Sequence, residues 1–289
     1  LKRLIVTADD VGLHPGMTRG ALAACDAGIV TAVSVAAVGR AFDSAVELLR
    51  EREDRMPDVG IHLTLVGERP LSPPERIPTL AGRDGALLSG YPALARRSLV
   101  GGLAAAEVEA ELRLQIERLL ATGLPVVHAN AHQHLHVLPR IFEIVLRLAE
   151  EHGIRFLRIP LEPALGGRWT PRTAQLAVLN LLGRRARRRL VARGRVKAPE
   201  RTLGLLDAGH LTVERLRRAL RWVEDDGSVA ELVCHPGLGD AELAAAYGWG
   251  YRWDAETAAL CDPRVPGMLR EAGIELTSFS RLGSTAYRQ

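Results

Sequence analysis

Two stretches of this chain hold residue types that can do chemistry in a spacing worth testing. One is Thr7-Ala8-Asp9-Asp10, two adjacent carboxylates at the end of an apolar β-branched run, Leu4-Ile5-Val6. Like charges a few ångströms apart repel, so one is pushed towards the protonated form or both share a cation. The alternative is that one Asp caps the next helix and the other is solvated. The other stretch is His128-Ala129-Asn130-Ala131-His132-Gln133-His134-Leu135-His136, with four of the nine histidines in nine residues. Imidazole is the commonest metal-ligating side chain, and two imidazoles with a carboxylate leave positions open for water and substrate. One isolated histidine reads more readily as a core residue. Four in a cluster, with His62 on the polar side of another strand, favour a metal site. Not all four fit around one ion, so His128 and His134 are expected to orient neighbours or bind substrate.

The elements that must carry these residues alternate in kind. Strand-like runs lie at 3–8, 31–37, 58–65, 125–130, 154–159, 229–234 and 273–279. Helical patterns lie at 16–28, 41–53, 104–122, 139–152, 172–193, 212–225 and 255–271. In the third strand Val59, Ile61, Leu63 and Leu65 share one face, and Gly60, His62 and Thr64 the other. Strand followed by helix, repeated about seven times, predicts an α/β protein with a parallel sheet. The polar residues fall at or near the C-terminal ends of different strands: Asp9 and Asp10, His62, His132, Arg158 and His235. A (β/α) barrel gathers its active site at that end, whereas an open doubly wound sheet gathers such residues near one switch point. No GxGxxG or P-loop motif is present, which argues against a nucleotide site. The segment 66–103, rich in proline and glycine, reads as a long insertion loop.

Composition bounds the function. The chain has 289 residues, 47% hydrophobic and 25% charged, as expected of a globular protein with a sizeable core. No apolar run reaches the length of a membrane span, and no signal-peptide pattern opens the chain. Three cysteines, Cys25, Cys234 and Cys261, form no CxxC pair, so small core residues in a reducing cytoplasm are expected. The net charge of +4 is local, because eight of the 38 basic residues lie within 184–197. Leu176, Val178, Leu179, Leu181 and Leu182 precede them, which gives an amphipathic helix with a cationic half. Such a segment suits peripheral contact with an anionic membrane, with a solvated arginine face as the alternative. No base-reading motif accompanies it, so nucleic acid is not expected. Tyr247, Trp249, Tyr251 and Trp253 alternate within seven residues. They read as an exposed loop offering rings to a sugar, or as a loop packed by its own aromatics.

Five stretches taken together resemble the YdjC-like carbohydrate deacetylases. They are Thr-Ala-Asp-Asp-Val-Gly-Leu (7–13), Gly-Ile-Val-Thr-Ala-Val-Ser (28–34), Val-Gly-Ile-His-Leu (59–63), Asn-Ala-His-Gln-His-Leu-His (130–136) and Leu-Val-Cys-His-Pro-Gly (232–237). Val11 stands where the family usually has Phe. The resemblance implies a distorted TIM-like barrel of about seven parallel strands, of polysaccharide-deacetylase type. It spans 1–289 as a single catalytic domain, with insertions at about 66–103 and 172–200. It implies one divalent metal held by Asp10, His62 and His132, with Mg²⁺ favoured by the family and Zn²⁺, Mn²⁺ or Co²⁺ by the ligand set. The reaction implied is N-acetyl hydrolysis on an amino-sugar substrate, oligosaccharide or glycolipid, the latter as in the hopanoid-associated subgroup. Asp9 is then the general base and His235 the general acid. Arg158, His128, His134, His136, Trp249 and Tyr251 are then supporting or substrate-binding residues. A homodimer is expected. The rival functions are a metal-dependent phosphoesterase on a similar barrel and a non-catalytic sugar-binding protein.

Overall fold

The computed structural model describes residues 1–163 and 170–284. The strands are β1 (Lys2–Val11), β2 (Ala32–Val35), β3 (Asp58–Leu63), β4 (Val126–Ala131), β5 (Phe156–Leu157), β6 (Arg201–Leu203), β7 (Val229–Cys234) and β8 (Ile274–Leu276). The helices are α1 (Pro15–Asp26), α2 (Phe42–Arg50), α3 (Tyr91–Leu99), α4 (Ala105–Leu120), α5 (Pro139–Glu151), α6 (Pro171–Arg193), α7 (Val213–Leu220), α8 (Asp240–Ala246), α9 (Trp253–Leu260), α10 (Val265–Glu271) and α11 (Phe279–Ser284).

All strand pairings are parallel, in the order β5-β4-β3-β2-β1-β7-β6, with β8 beside the start of β1. The two ends of that row meet. Leu157 N donates to Lys197 O at 2.8 Å, Lys197 N to Arg155 O at 2.9 Å, and Thr202 N to Leu161 O at 2.9 Å. Seven strands therefore ring a distorted barrel, the expected fold class, with an irregular seam between β5 and β6.

The barrel interior is graded. Ile5, Ala32, Phe156 and Val229 fill its lower end, where Phe279 and Leu282 of α11 plug it. Above them the inward positions turn polar: Thr7, Glu231, Arg158, Ser34, Asn130, His62 and Asp9 are all buried. The opposite strand faces, including Leu4, Val6, Val33, Ile61, Ala129 and Leu232, pack on the helices in the main core. Burying each Val, Leu or Ile side chain among them contributes about 1.5–3 kcal/mol.

Several elements depart from expectation for local reasons. Segment 66–103 is a packed excursion, not a plain loop. It carries α3, and Ile77, Leu80, Leu87 and Leu94 are buried. Polar side chains one turn apart on α4 fasten it. Glu107 accepts from Thr79 N at 2.7 Å, Glu111 from Leu71 N at 3.0 Å and Ser72 N at 2.8 Å. Gln115 bonds both Thr64 N and O. The predicted 255–271 helix breaks at Asp262-Pro263 into α9 and α10, since proline cannot continue a helix interior. The strand expected at 273–279 ends at Leu276, and Phe279 belongs to α11. The strand β6 and helix α8 give too short a periodic pattern to read from sequence. On α6, Leu176 is buried but Val178 and Leu181 face solvent, so the expected apolar face is split. Cys234 is buried and Cys25 and Cys261 half-buried, all as free thiols. No helix among the described residues is long and apolar enough to cross a membrane.

Glu162 fastens the seam. Its carboxylate accepts from Gly204 N at 2.8 Å and Leu206 N at 2.7 Å, while its backbone exchanges two bonds with Asn180 of α6. Burial outweighs those N–H groups and raises its pKa from 4.5 to about 7. The folded state thus holds this proton more tightly than the unfolded chain. The resulting stability is full below pH 4.5 and is lost as pH rises to about 7. Glu162→Gln should flatten that decline, on the order of 3 kcal/mol, when urea unfolding is compared at about pH 5 and about pH 8. An unchanged slope would show that the carboxyl does not titrate there.

Candidate active site

The site is set at the upper end of the barrel by a break in strand alternation. Neighbouring residues of a strand point to opposite faces. Yet Asp9 is bonded inside the barrel while Asp10 Oδ1 reaches histidines at the mouth. The β1–β2 register slips between Ala8 and Val11, and Asp10 has φ 65°. A non-glycine residue in that left-handed region costs of order 1–3 kcal/mol and marks a backbone held there by its surroundings.

Asp10 Oδ1 lies 3.0 Å from His62 Nε2 and 3.0 Å from His132 Nδ1. The two ring nitrogens are 3.5 Å apart. These three are the one group of convergent metal-ligand side chains among the described residues. A carboxylate oxygen and two imidazole nitrogens facing one point match a divalent-metal donor set. Burial raises the cost of the Asp10 charge, but His132 and His62 outweigh it and hold its carboxyl well below the usual range. Burial likewise opposes a charged His62, and Asp9 and Asp10 more than offset it. His132 opens a tight loop in which Gln133 (φ 52°) and His134 (φ 55°) are also left-handed. Gln133 Oε1 accepts from Tyr91 N at 2.8 Å, so α3 of the 66–103 excursion braces the loop that carries His132.

Asp9 is held differently. Arg158 reaches both its oxygens, Nη1 to Oδ2 at 2.5 Å and Nη2 to Oδ1 at 3.0 Å. Ser34 Oγ donates to Oδ1 at 2.8 Å and Asn130 Nδ2 at 2.9 Å. The far side of the guanidinium is taken by Glu231 Oε1, 3.0 Å from Nε and 2.7 Å from Nη2. Thr7 Oγ1 also donates to Glu231, at 2.8 Å. Burial works against the charge on Asp9, but Arg158 dominates and keeps it far below the carboxylate range. Arg158 is 1% exposed and lies inside the barrel, not on the surface.

His235 follows β7 on a turn pinned from three sides. His235 N donates to Glu256 Oε1 at 2.6 Å, Gly237 N to Thr257 Oγ1 at 2.9 Å, and Leu238 N to Gly16 O at 3.0 Å. Glu256 Oε1 also lies 3.9 Å from His235 Nδ1. Burial, opposed by His235, raises the pKa of Glu256. The aromatics close the mouth. Trp249 is tilted over His132 with ring centres 5.0 Å apart, and Tyr251 meets His235 at 5.3 Å. The four rings also pack on one another at tilted and edge-on angles, and Trp253 is buried against Leu13, Met17 and Leu243. The loop is thus packed by its own aromatics, not freely exposed, and its packing turns Trp249 and Tyr251 towards the site.

The other histidines separate. His136 Nε2 lies 2.7 Å from Arg158 O and holds the backbone that carries the guanidinium. His134 is kept neutral by burial and by Arg158, and its Nδ1 has no partner among the described residues. His128 does not join the group at the mouth. It sits one inward position below Asn130, stacked on Phe279 at 4.3 Å, where a side chain on Gly60 would collide with its ring. Burial pushes its pKa down to about 4, so it serves as a neutral core ring. Glu231, Ser34 and Glu256 were not singled out from sequence. An acid inside the apolar run Val229-Ala-Glu-Leu-Val-Cys was the available signal for Glu231.

A family profile described as YdjC-like protein matches residues 3–271. A human protein named carbohydrate deacetylase is 32% identical, covering 98% of this chain and 91% of its own length. One of that name from Geobacillus stearothermophilus is 28% identical, covering 95% and 96%. A solved structure from Enterococcus faecalis, described as a candidate for cellobiose-phosphate cleavage, superposes with a TM-score of 0.75 at 24% identity, covering 97% and 98%. It attests the fold.

Arg158→Met should cost about 3–5 kcal/mol in urea unfolding, because it strands two buried carboxylates. Adding Glu231→Gln should restore part of that loss. A loss below about 1 kcal/mol would show that the ion pairs do not hold the barrel interior.

Proposed function

The chain belongs to the YdjC-like protein family, and from that premise we propose that it is a metal-dependent carbohydrate N-deacetylase. The observation that carries this is the convergence of Asp10, His62 and His132 beside a second, separately anchored carboxylate, Asp9. A non-catalytic sugar binder has no use for that pairing. The single convergent group among the described residues favours a one-ion hydrolase over a phosphoesterase with two or three metals. The close relatives are named carbohydrate deacetylases, and this supports an N-acetylated sugar as substrate. Mg²⁺ is the family expectation, and two imidazoles suit Zn²⁺, Mn²⁺ or Co²⁺ on ligand grounds.

A divalent ion at Asp10, His62 and His132 would supply Lewis-acid polarisation of the acetamide carbonyl and a lowered pKa for water. The remaining work falls to the chain. Asp9, fixed by Arg158, Ser34 and Asn130, takes the proton from the attacking water. His235 delivers a proton to the departing nitrogen as the C–N bond breaks, giving free amine and acetate. Glu256 stands behind His235, its Oε1 3.9 Å from His235 Nδ1. Trp249 and Tyr251 offer ring faces to the apolar side of a sugar, and His134 offers a neutral imidazole at the mouth.

Acetate release from a panel of N-acetylated oligosaccharides and glycolipids, with and without chelator, tests the reading. Asp9→Asn and His235→Ala should each keep the bound ion and lose at least about 100-fold in kcat. Near-normal turnover in Asp9→Asn sinks the base assignment, and loss of metal in His235→Ala makes that residue a ligand.

The α6 helix supports a glycolipid as the substrate class. Its inward side is Leu176, Gly183, Ala186 and Leu190. Its outward line runs Ala174, Ala177, Val178, Leu181 and then Arg184, Arg185, Arg188, all exposed. An apolar half followed by a cationic half suits the surface of an anionic bilayer. Arg189 and Arg193 are instead engaged with Glu143 and Glu150 of α5. Flotation with phosphatidylglycerol vesicles, but not phosphatidylcholine, at low salt is the expected result. No flotation, together with a dimer that Leu181→Asp dissociates, would assign the stripe to self-association.

A further inference from the structure

We propose that Asn130 is a positioning residue that couples Asp9 to His62 and thereby fixes which imidazole nitrogen faces Asp10. The proposal rests on the metal-dependent reading of the Asp10, His62 and His132 group. Asn130 is fully buried on β4, directly beside His62 in the β3–β4 register. Its carboxamide touches three groups. Nδ2 donates to Asp9 Oδ1 at 2.9 Å and to Ser34 Oγ at 3.1 Å, and Oδ1 lies 2.7 Å from His62 Nδ1.

The two ends of a carboxamide are told apart by what they face. Asp9 sits in the grip of a guanidinium and can only accept, so the NH₂ end of Asn130 must point at it. Turning the amide over would set carbonyl oxygen against carboxylate and leave buried bonds unmade. Ser34 reinforces the choice. Its hydroxyl proton goes to Asp9 Oδ1 at 2.8 Å, so its oxygen is left to accept from Asn130. With its NH₂ end committed, Asn130 presents only its carbonyl oxygen to His62. That oxygen accepts, so His62 Nδ1 must carry hydrogen. With an ion bound, the other nitrogen, Nε2, is then the one that turns its lone pair to the point where Asp10 Oδ1 and His132 Nδ1 converge.

The consequence is directional. The charge pair deep in the barrel orients Asp9, Asp9 orients Asn130, and Asn130 sets the His62 tautomer. A ligating histidine held through its other nitrogen is oriented and made more basic, and loss of such a partner typically costs 10–100-fold in metal affinity. Here the partner is a neutral amide whose second hand is on the general base. One residue therefore serves both halves of the site without touching the reacting atoms.

Two variants separate the two hands. Asn130→Leu removes both. Asn130→Asp keeps an acceptor for His62 and removes the donor to Asp9. In the Zn²⁺-loaded full chain labelled with ¹⁵N-histidine, long-range ¹H–¹⁵N spectra should show His62 protonated at Nδ1 in the wild type. Asn130→Leu should weaken Zn²⁺ binding by about 10–100-fold in a competition titration and speed exchange of the Nδ1 proton. Asn130→Asp should bind Zn²⁺ within about threefold of wild type or tighter, retain the Nδ1 proton, and lose kcat with KM little changed. A wild-type His62 protonated at Nε2 overturns the proposal without relying on any variant. So does an Asn130→Leu chain whose Zn²⁺ affinity stays within about threefold. A wild-type chain that binds none of Zn²⁺, Mn²⁺, Co²⁺ and Mg²⁺ overturns both this proposal and the metal reading. One that binds Zn²⁺ with the Nδ1 proton in place, yet releases no acetate from any substrate, supports the proposal and overturns the deacetylase reading alone.

Discussion

The Arg158 guanidinium, clasped between Asp9 and Glu231 inside the barrel, is the interaction on which the rest of the site depends. A buried cation is tolerable only with charged partners and filled donor positions, and a buried acid only with a cation. Neither carboxylate has another cation so close. The three groups come from β1, β7 and the residue after β5, so the charge cluster also spans the irregular seam where β5 and β6 meet through few backbone bonds. His136, on the loop that follows β4, holds the Arg158 carbonyl. The ordering of Asp9 is thus inherited from the barrel as a whole.

The grading of the interior explains how such a cluster fits. Its floor is apolar and closed by α11, so the charged layer is screened from solvent below. Its upper rim is covered by Trp249 and Tyr251, which leave His132 and His235 half-roofed. Between them the polar side chains are bonded to one another in a continuous set: Glu231, Arg158, Asp9, Asn130, Ser34 and His62. A network of this kind is stable only when nearly every member is satisfied. That requirement, as much as chemistry, restricts what can replace any one of them.

Much of this was legible in the sequence because strand ends announce themselves. Alternation of strand and helix patterns, with polar residues after the strands, pointed to a barrel and to one end of it. Asp10, His62, His132 and His235 were singled out that way, and the structure brings the first three together. The failures have particular causes. His128 shares the parity of Asn130 and His132, and sequence parity gives the face of a strand but not the depth. Two residues lower means roughly 6–7 Å lower at about 3.3 Å per residue, and there the neighbours are Phe279 and Gly60. Glu231 was hidden because an acid in an apolar strand identifies no partner until the barrel closes. The 66–103 segment looked like an open loop because its anchors, Glu107 and Glu111, lie just outside it on the next helix and read there as ordinary polar positions.

The left-handed backbone at Asp10 ties these threads together. A regular strand shows its inner face one residue in every two, so adjacent acids would face opposite sides of the barrel wall. The slip in register at Asp10 removes that alternation for one step and lets both carboxylates act at the same end. The strain there, like that at Gln133 and His134, is sustained because the side chains on either side are already fixed: Asp9 by the guanidinium, His132 by its approach to Asp10 and by the brace from α3. The positions of the proposed base and the proposed ligand are therefore set by one backbone feature, and neither carboxylate can be moved without displacing the other. A site assembled in this way gains accuracy from the same bonds that bury its charges. Its tolerance for change accordingly lies at the aromatic rim, where the rings contact the histidines but take no part in the charge network.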